Sequence, residues 1–278
     1  MKKLILLSLV TLLCMPLTVY AASIGGVETQ GAGKFTLGLD QEFVFDRDTK
    51  DVSVSEIVET TIAATGKLKS EVDKMYRTML KISYGLFDNL DVYVKLGMAD
   101  FEAKGKKSGI WENSATGDTG IWEASTKLRG DNAFAYGFGV KGTYPLEDDW
   151  IIGCDVLYLR HKNDFKATGT LSVYDDTGTP IPIDDPSESW KGDMTFQAWH
   201  VAPYIAKEIE NFVPYFGVKY SDQRIEYKSE DSKIKFKAND NFGVFLGTDY
   251  KIAENWTLNL EGRFIDETAM SFATTYKF

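Results

Sequence analysis

Cysteine is nearly absent from this chain. Of its two cysteines, Cys14 falls within an apolar leader and only Cys154 lies in the body, so no intramolecular disulfide can form once the leader is gone. Histidine is equally scarce, with His161 and His200 alone, and imidazole-based catalysis or metal binding has few components to draw on. Basic residues are in deficit, 31 Lys and Arg against 41 Asp and Glu for a net charge of −10, which argues against a nucleic-acid partner. After the leader no run of about 20 apolar residues occurs, and helical membrane spans are thereby excluded. Strand spans are not, because they need only about 9 to 11 residues with alternate positions apolar.

The leader itself is informative. Met1-Lys2-Lys3 is basic, Leu4 to Leu13 is apolar, and Val19-Tyr20-Ala21 places small residues at the two positions a signal peptidase reads. The pattern predicts a secretory signal peptide over residues 1–21, cut after Ala21. A retained anchor fits less well, since the apolar run is short and Pro16 interrupts it. Bulky Leu13 likewise speaks against lipidation at Cys14. Removing the leader takes Lys2 and Lys3 with it, leaving 29 basic against 41 acidic residues, a charge of −12, on a body of residues 22–278. A body of this size can be one domain if it is a barrel.

What the body has in abundance is alternation. Phe35, Leu37, Leu39, Phe43 and Phe45 share one face of residues 35–45, opposite Gly38, Asp40, Glu42 and Val44. The same period of two recurs at 76–86, 92–98, 134–144, from Trp150, near 195–206, at 216–220, 242–251, 256–264 and 267–278. These are ten predicted strands. Near 195–206 the faces are ambiguous: if Trp199, Val201 and Ile205 face one way, Phe196 and Tyr204 point the other, beside His200. Short connections hold acidic or amide turn formers at 87–90, 146–149, 208–212 and 253–255. They alternate with long polar ones near 47–74, 101–132, 160–194 and 222–240, until a tight turn at Asp266 and Glu267. Eight or twelve strands follow from other counts of the ambiguous pieces.

The chain ends SFATTYKF. Polar Ser271, small Ala273, then Tyr276 and terminal Phe278 resemble the C-terminal strand signal of bacterial outer-membrane β-barrels, with Ala273 in the usual glycine place. The resemblance implies an all-β fold: a ten-stranded antiparallel transmembrane barrel, with short periplasmic turns and long extracellular loops, set in the cell outer membrane. It also implies two partners, outer-membrane lipid and the barrel assembly machinery that reads the terminal strand. A β-sandwich is the soluble alternative, but its solvated face would be richer in long charged side chains than the Gly, Ala, Ser and Thr found here. Closure predicts residues 267–278 as the antiparallel neighbour of 35–45, with Phe272 and Tyr276 facing outward.

If the aromatic faces meet lipid, the opposite faces line the lumen. They carry Asp40, Glu42, Asp91, Asp155, Asp249 and Glu261 against Arg77, Lys81, Lys95, Lys141, Lys219, Lys251 and Arg263. Near balance in a narrow interior suggests opposite walls stapled by ion pairs. The same residues could line a narrow porin-like channel, and the sequence leaves the two open. A receptor or adhesin acting through the outer loops is a third reading; its ligand is not named by any residue pattern. No catalytic set, cofactor motif or metal site is expected. Ten strands resemble the omptin proteases, whose rim carries a D-x-D and a D-x-H pair. Asp46-Arg47-Asp48 matches the first, with His161 and Asp164 nearby. The second is missing, because Leu159 and Ala198 stand two before the histidines. Asp175-Asp176 and Asp184-Asp185 make the third loop acidic without a known calcium spacing. In the fourth, Ile225 and Tyr227 are expected to answer Ile234 and Phe236 in an extended hairpin.

Overall fold

A computed structural model describes residues 23–48, 52–59, 62–182, 187–228, 233–237 and 241–278. The proposed signal peptide and Asp184-Asp185 lie outside them, as do the side chains of Asp46 and Asp48. No helix occurs among the described residues. The strands are β1 (Phe35–Asp48), β2 (Val52–Glu59), β3 (Ile62–Phe87), β4 (Leu90–Asn113), β5 (Thr119–Pro145), β6 (Trp150–Asp175), β7 (Pro180–Ile181), β8 (Ser187–Lys207), β9 (Phe212–Lys228), β10 (Lys233–Lys237), β11 (Phe242–Ala253), β12 (Trp256–Phe264) and β13 (Thr268–Lys277).

Ten of these form a ring. Each pairs antiparallel with its neighbours, and β1 closes the sheet by pairing with both β13 and β3. β2, β7 and β10 are short additions that pair with β3, β6 and β9 at their outer ends. The expected closure is present: Leu37 sits opposite Tyr276 and Gln41 opposite Phe272. The chain ends are tied down there, since the Phe278 ring stacks on Phe35 with centroids 4.6 Å apart.

The turns on the side of the termini are short, as expected. Asp88-Asn89 joins β3 to β4, and Glu254-Asn255 joins β11 to β12. The connection from β5 to β6 places Asp148 and Asp149 at φ of 57° and 62°, a region that aspartate tolerates better than most residues. On the other side the expected long loops are corrected. Most of that polar sequence continues the strands: β3, β4, β5 and β6 run 26, 24, 27 and 26 residues. At about 3.3 Å per residue they far exceed what the bilayer needs. The alternation persists beyond the membrane, but Lys, Ser and Thr replace the outward aromatics, which makes the same pleat read as loop. β12 and β13, of 9 and 10 residues, stop near the membrane, so the rim is tall on one side and low on the other.

Outward positions of the lower barrel are apolar and exposed, among them Leu39, Ile82, Val94, Leu96, Phe138, Val140, Val156, Phe216 and Leu246. Tyr84, Tyr144, Trp150, Tyr250 and Trp256 stand near the strand ends at the level of a membrane interface. Inward glycines give the lumen aromatics their room. A Cβ at Gly139 would collide with the ring of Tyr93, and one at Gly217 with the ring of Phe245.

Candidate functional site

The lumen is built in three layers, and the alternation of the strands supplies all of them. The middle layer is a belt of charge. Arg77 on β3 meets Glu42 on β1 at 2.7 Å, and Lys95 on β4 meets Asp40 at 2.6 Å. Lys219 on β9 reaches Asp266 and Glu267 at 2.9 and 2.6 Å, while Arg263 on β12 takes Glu267 at 2.7 Å and stands 3.8 Å from Glu261. None of these groups is more than 5% exposed. Asp266 and Glu267 are the tight outer turn between β12 and β13, folded back into the barrel. Ile265, just before them, takes φ of 82°, a strained value for a β-branched residue, and is itself exposed.

Above the belt the inward faces become apolar. Val44, Met75, Phe101, Phe165, Met194, Phe196, Ile225 and Tyr227 pack as one cluster, which Met79 joins from the level of Asp40. His161 lies among them rather than at an outer rim: it is 1% exposed, stacked on Phe196 at 4.8 Å, with Nδ1 2.6 Å from Asn163. β6 continues for 14 residues past it, to Asp175. The omptin-like placement of His161 beside Asp164 is therefore corrected. His200 is also inward, bonded through Nε2 to Asp155 at 3.1 Å, and Asp155 accepts a second bond from the Tyr93 hydroxyl at 2.8 Å. The ambiguous strand is thus resolved as β8, with Phe196, His200 and Tyr204 all facing in.

Below the belt the chain fills its own barrel. Residues 23–34, which alternation leaves unassigned, enter the lumen from the periplasmic rim with Ser23 innermost. Three lysines on three adjacent strands hold the backbone carbonyls of this segment. Lys95 Nζ donates to Ser23 O at 2.9 Å, Lys81 Nζ to Ile24 O and Gly25 O at 3.1 and 3.2 Å, and Lys141 Nζ to Ile24 O at 2.7 Å and to Gly26 O. The amides find carboxylates: Val27 N donates to Asp249 at 2.8 Å and Gln30 N to Asp91 at 3.1 Å. The Tyr204 hydroxyl donates to Val27 O at 2.7 Å. Ile24 and Val27 pack with Ala202, Val213, Tyr215 and Phe245. A network from Asp249 through Asn259 and Tyr215 to Glu261 joins this layer to the belt.

Of the charges read as lumen-lining, all but one are inward and buried. Lys251 instead lies at the periplasmic rim, about one-third exposed, between Glu28 at 2.6 Å and Glu208 at 2.7 Å. Of the terminal-strand residues, Ser271 and Ala273 are inward and fully buried, while Tyr276 packs outward against Trp256 and Phe278. Asp175 serves a turn, accepting from Thr177 N and Thr179 N at 2.9 and 2.8 Å, and no group of metal-binding side chains occurs among the described residues. Ile225 and Tyr227 pair with Phe236 and Ile234, as the extended hairpin requires. What alternation could not show is the plug and the apolar layer.

The likenesses to known proteins are of shape. No family model matches the chain, and no curated protein matches it in sequence. Among solved structures, it resembles the outer membrane protease OmpT from Escherichia coli over 92% of this chain and 100% of that one, at 13% identity and a TM-score of 0.55. Weaker likenesses are the toluene transporter TodX from Pseudomonas putida, with 11% identity, coverage of 94% and 93% and a TM-score of 0.35, and the outer membrane protein OprG from Pseudomonas aeruginosa, with 11% identity, coverage of 90% and 99% and a TM-score of 0.28. The closed ring, the apolar outward belt and the likeness to OmpT define the class. The chain is a closed ten-stranded antiparallel β-barrel with an apolar outward belt, the fold it shares with OmpT.

Proposed function

We propose that this barrel is sealed, and that it works through the strand extension it raises above the membrane rather than by passing solute. The carrying observation is the filled lumen: paired charges at the belt, an apolar cluster above, and below them the amino-terminal segment, which leaves beside Lys81, Tyr93 and Lys141 a cavity of about 10 Å³. That is room for about one water molecule, whereas a conducting path needs a continuous file of them. The charge-plugged barrel is thus favoured over the narrow porin. Passive potassium efflux from proteoliposomes tests this: rates equal to those of protein-free vesicles are expected, and rapid efflux would overturn the reading.

The extension offers a surface for recognition. On its outward face Lys104 stands opposite Lys127, Arg129 opposite Lys166, and Lys166 opposite Lys191. Like charges directly across a sheet are unfavourable, and this clustering runs against the acidity of the whole chain. Asp73 and Glu102 answer Lys104 and Arg129 at 2.8 and 4.0 Å. Lys127 and Lys166 have no acidic partner within 4 Å among the described residues. The residues above them on the same faces are Ser125, Thr168 and Thr170, hydroxyl donors rather than apolar groups. Such a face suits an anionic, hydroxylated surface. The protease reading is not favoured, because both histidines are buried within the lumen at 1% and 5% exposure, out of reach of a peptide at the rim.

A further inference from the structure

We infer that the outward face of the strand extension binds a linear acidic polysaccharide, one that carries a carboxylate on successive sugar rings, laid across the strands. That rests on the reading of the extension as the working part of the barrel. Beyond the membrane the outward residues of neighbouring strands fall into rows, because the strands stay in register. One row is Glu102, Arg129, Lys166 and Lys191, on β4, β5, β6 and β8. The next row up is Lys104, Lys127, Thr168 and Ser189. Five of these eight side chains are basic, in a chain whose net charge is −10. Together they make a basic band.

The band has edges, and they set the direction of its ligand. Just below it Asp164 stands opposite Asp193, and Asp193 holds Lys162, still nearer the membrane, at 2.7 Å. Above it Lys106, Ser125 and Thr170 form one more row before Glu123 appears, opposite Ser108 and Ser172. A polyanion running along the strands would therefore meet carboxylates at both ends. Running across them it meets only Glu102, at the β4 end, which already faces Arg129 at 4.0 Å. The bilayer surface is a poor source of the anion, since Lys166 lies about 26 Å along β6 from outward Tyr158, with the aspartate pair between.

Spacing narrows the chemistry. Cations on adjacent strands stand about 5 Å apart at the backbone. A polysaccharide with one carboxylate on each ring spaces its charges at a similar interval, whereas a phosphoanhydride chain crowds them more closely. Four strands span about 15 Å, so the band takes roughly three or four rings. Exposed hydroxyls lie beside the cations to meet those of the rings, among them Ser125 and Thr170, whose oxygens are 2.8 Å apart. No aromatic side chain stands in the band among the described residues, and a neutral glycan finds no ring on which to stack. Like charges set across the sheet repel, and a bound polyanion relieves that repulsion.

The test uses the whole mature chain refolded into phosphatidylcholine vesicles and titrated calorimetrically at low salt with a short oligogalacturonate, with dextran of equal length and with inorganic phosphate. Oligogalacturonate should bind saturably and raise the urea midpoint of unfolding, and dextran should do neither. Lys127→Gln combined with Lys166→Gln should weaken binding about tenfold. The ligand-free urea midpoint of that variant should rise, because two repelling charges are gone. Lys235→Gln, the same charge change at an exposed lysine outside the band, should leave binding within about twofold. Equal binding of dextran, or unchanged binding in the double variant, would overturn the inference. So would loss of binding together with loss of stability, since the lysines would then be holding the sheet. Displacement of the oligomer by an equal concentration of inorganic phosphate would replace the linear ligand by a single anion. Adhesion to phosphatidylglycerol vesicles without oligogalacturonate binding would overturn the polysaccharide and leave the extension an anionic partner; failure of both would overturn the reading of the extension as well.

Discussion

Replacing Lys95 by methionine removes a cation that holds two things at once. Its Nζ lies 2.6 Å from Asp40 Oδ2 and 2.9 Å from Ser23 O, and it is 2% exposed. The substitution leaves the Asp40 carboxylate buried without its nearest cation, which costs about 3–5 kcal/mol. It also leaves the Ser23 carbonyl without this donor, worth about 1–3 kcal/mol. Lys95→Met alone should therefore lose about 4–8 kcal/mol. Adding Asp40→Leu removes the stranded charge, and the double variant should regain most of the first sum, because volume-matched apolar pairs replace buried ion pairs with little loss. Urea titration of the folded band in lipid vesicles, run as a double-mutant cycle, reads the coupling directly. A coupling near zero, with the double variant as unstable as the sum of the singles, would refute the argument that these charges staple the wall.

Further perturbations separate the layers. Ile265→Gly relieves a β-branched residue held at φ of 82° and should raise unfolding stability by about 0.5–1 kcal/mol in the same titration; a loss would mean that the turn is not strained. Leu96→Arg places a cation on the lipid-facing belt and should cost about 2–4 kcal/mol, whereas the same change at outward Ser172, above the membrane and opposite Glu123, should be nearly neutral. At the β6 to β7 turn the Thr177 hydroxyl and the amides of Thr177 and Thr179 hold the Asp175 carboxyl below the usual aspartate range. A lowered pKa contributes order above the ordinary aspartate pKa, and that order is lost as pH falls through the lowered value. The protection factors of the Thr177 and Thr179 amides, corrected for intrinsic exchange, should fall in acid for the native chain, and Asp175→Asn should abolish that change.

The sequence exposed the ring more fully than its contents. Period-two alternation with one apolar face located every barrel strand, since lipid outside and a narrow interior impose opposite demands on neighbouring residues. The strands were underestimated in length because, past Tyr136 or Tyr158, the outward residue becomes Arg129, Lys162 or Thr168 and the lipid signal disappears while the pleat continues. Inward charges were legible as residues but not as partners: which wall Arg77 or Lys219 faces depends on closure and stagger, set by β1 pairing with both β3 and β13. Asp266 and Glu267 read as an exposed turn, and only the low wall folds them inward to Lys219 and Arg263. The plug was hidden for a different reason. The stretch from Ser23 to Val27 has no periodicity, and its fold is dictated by polar side chains contributed by β3, β4, β5, β8, β11 and β12.

Conductance across a planar bilayer tests the central claim most directly, measured on the mature chain beside its Gly26→Val variant. The account predicts silence from both at either polarity, because the ion-pair belt and the apolar layer close the lumen even where the amino-terminal segment is loosened. Discrete openings in the mature chain would contradict it.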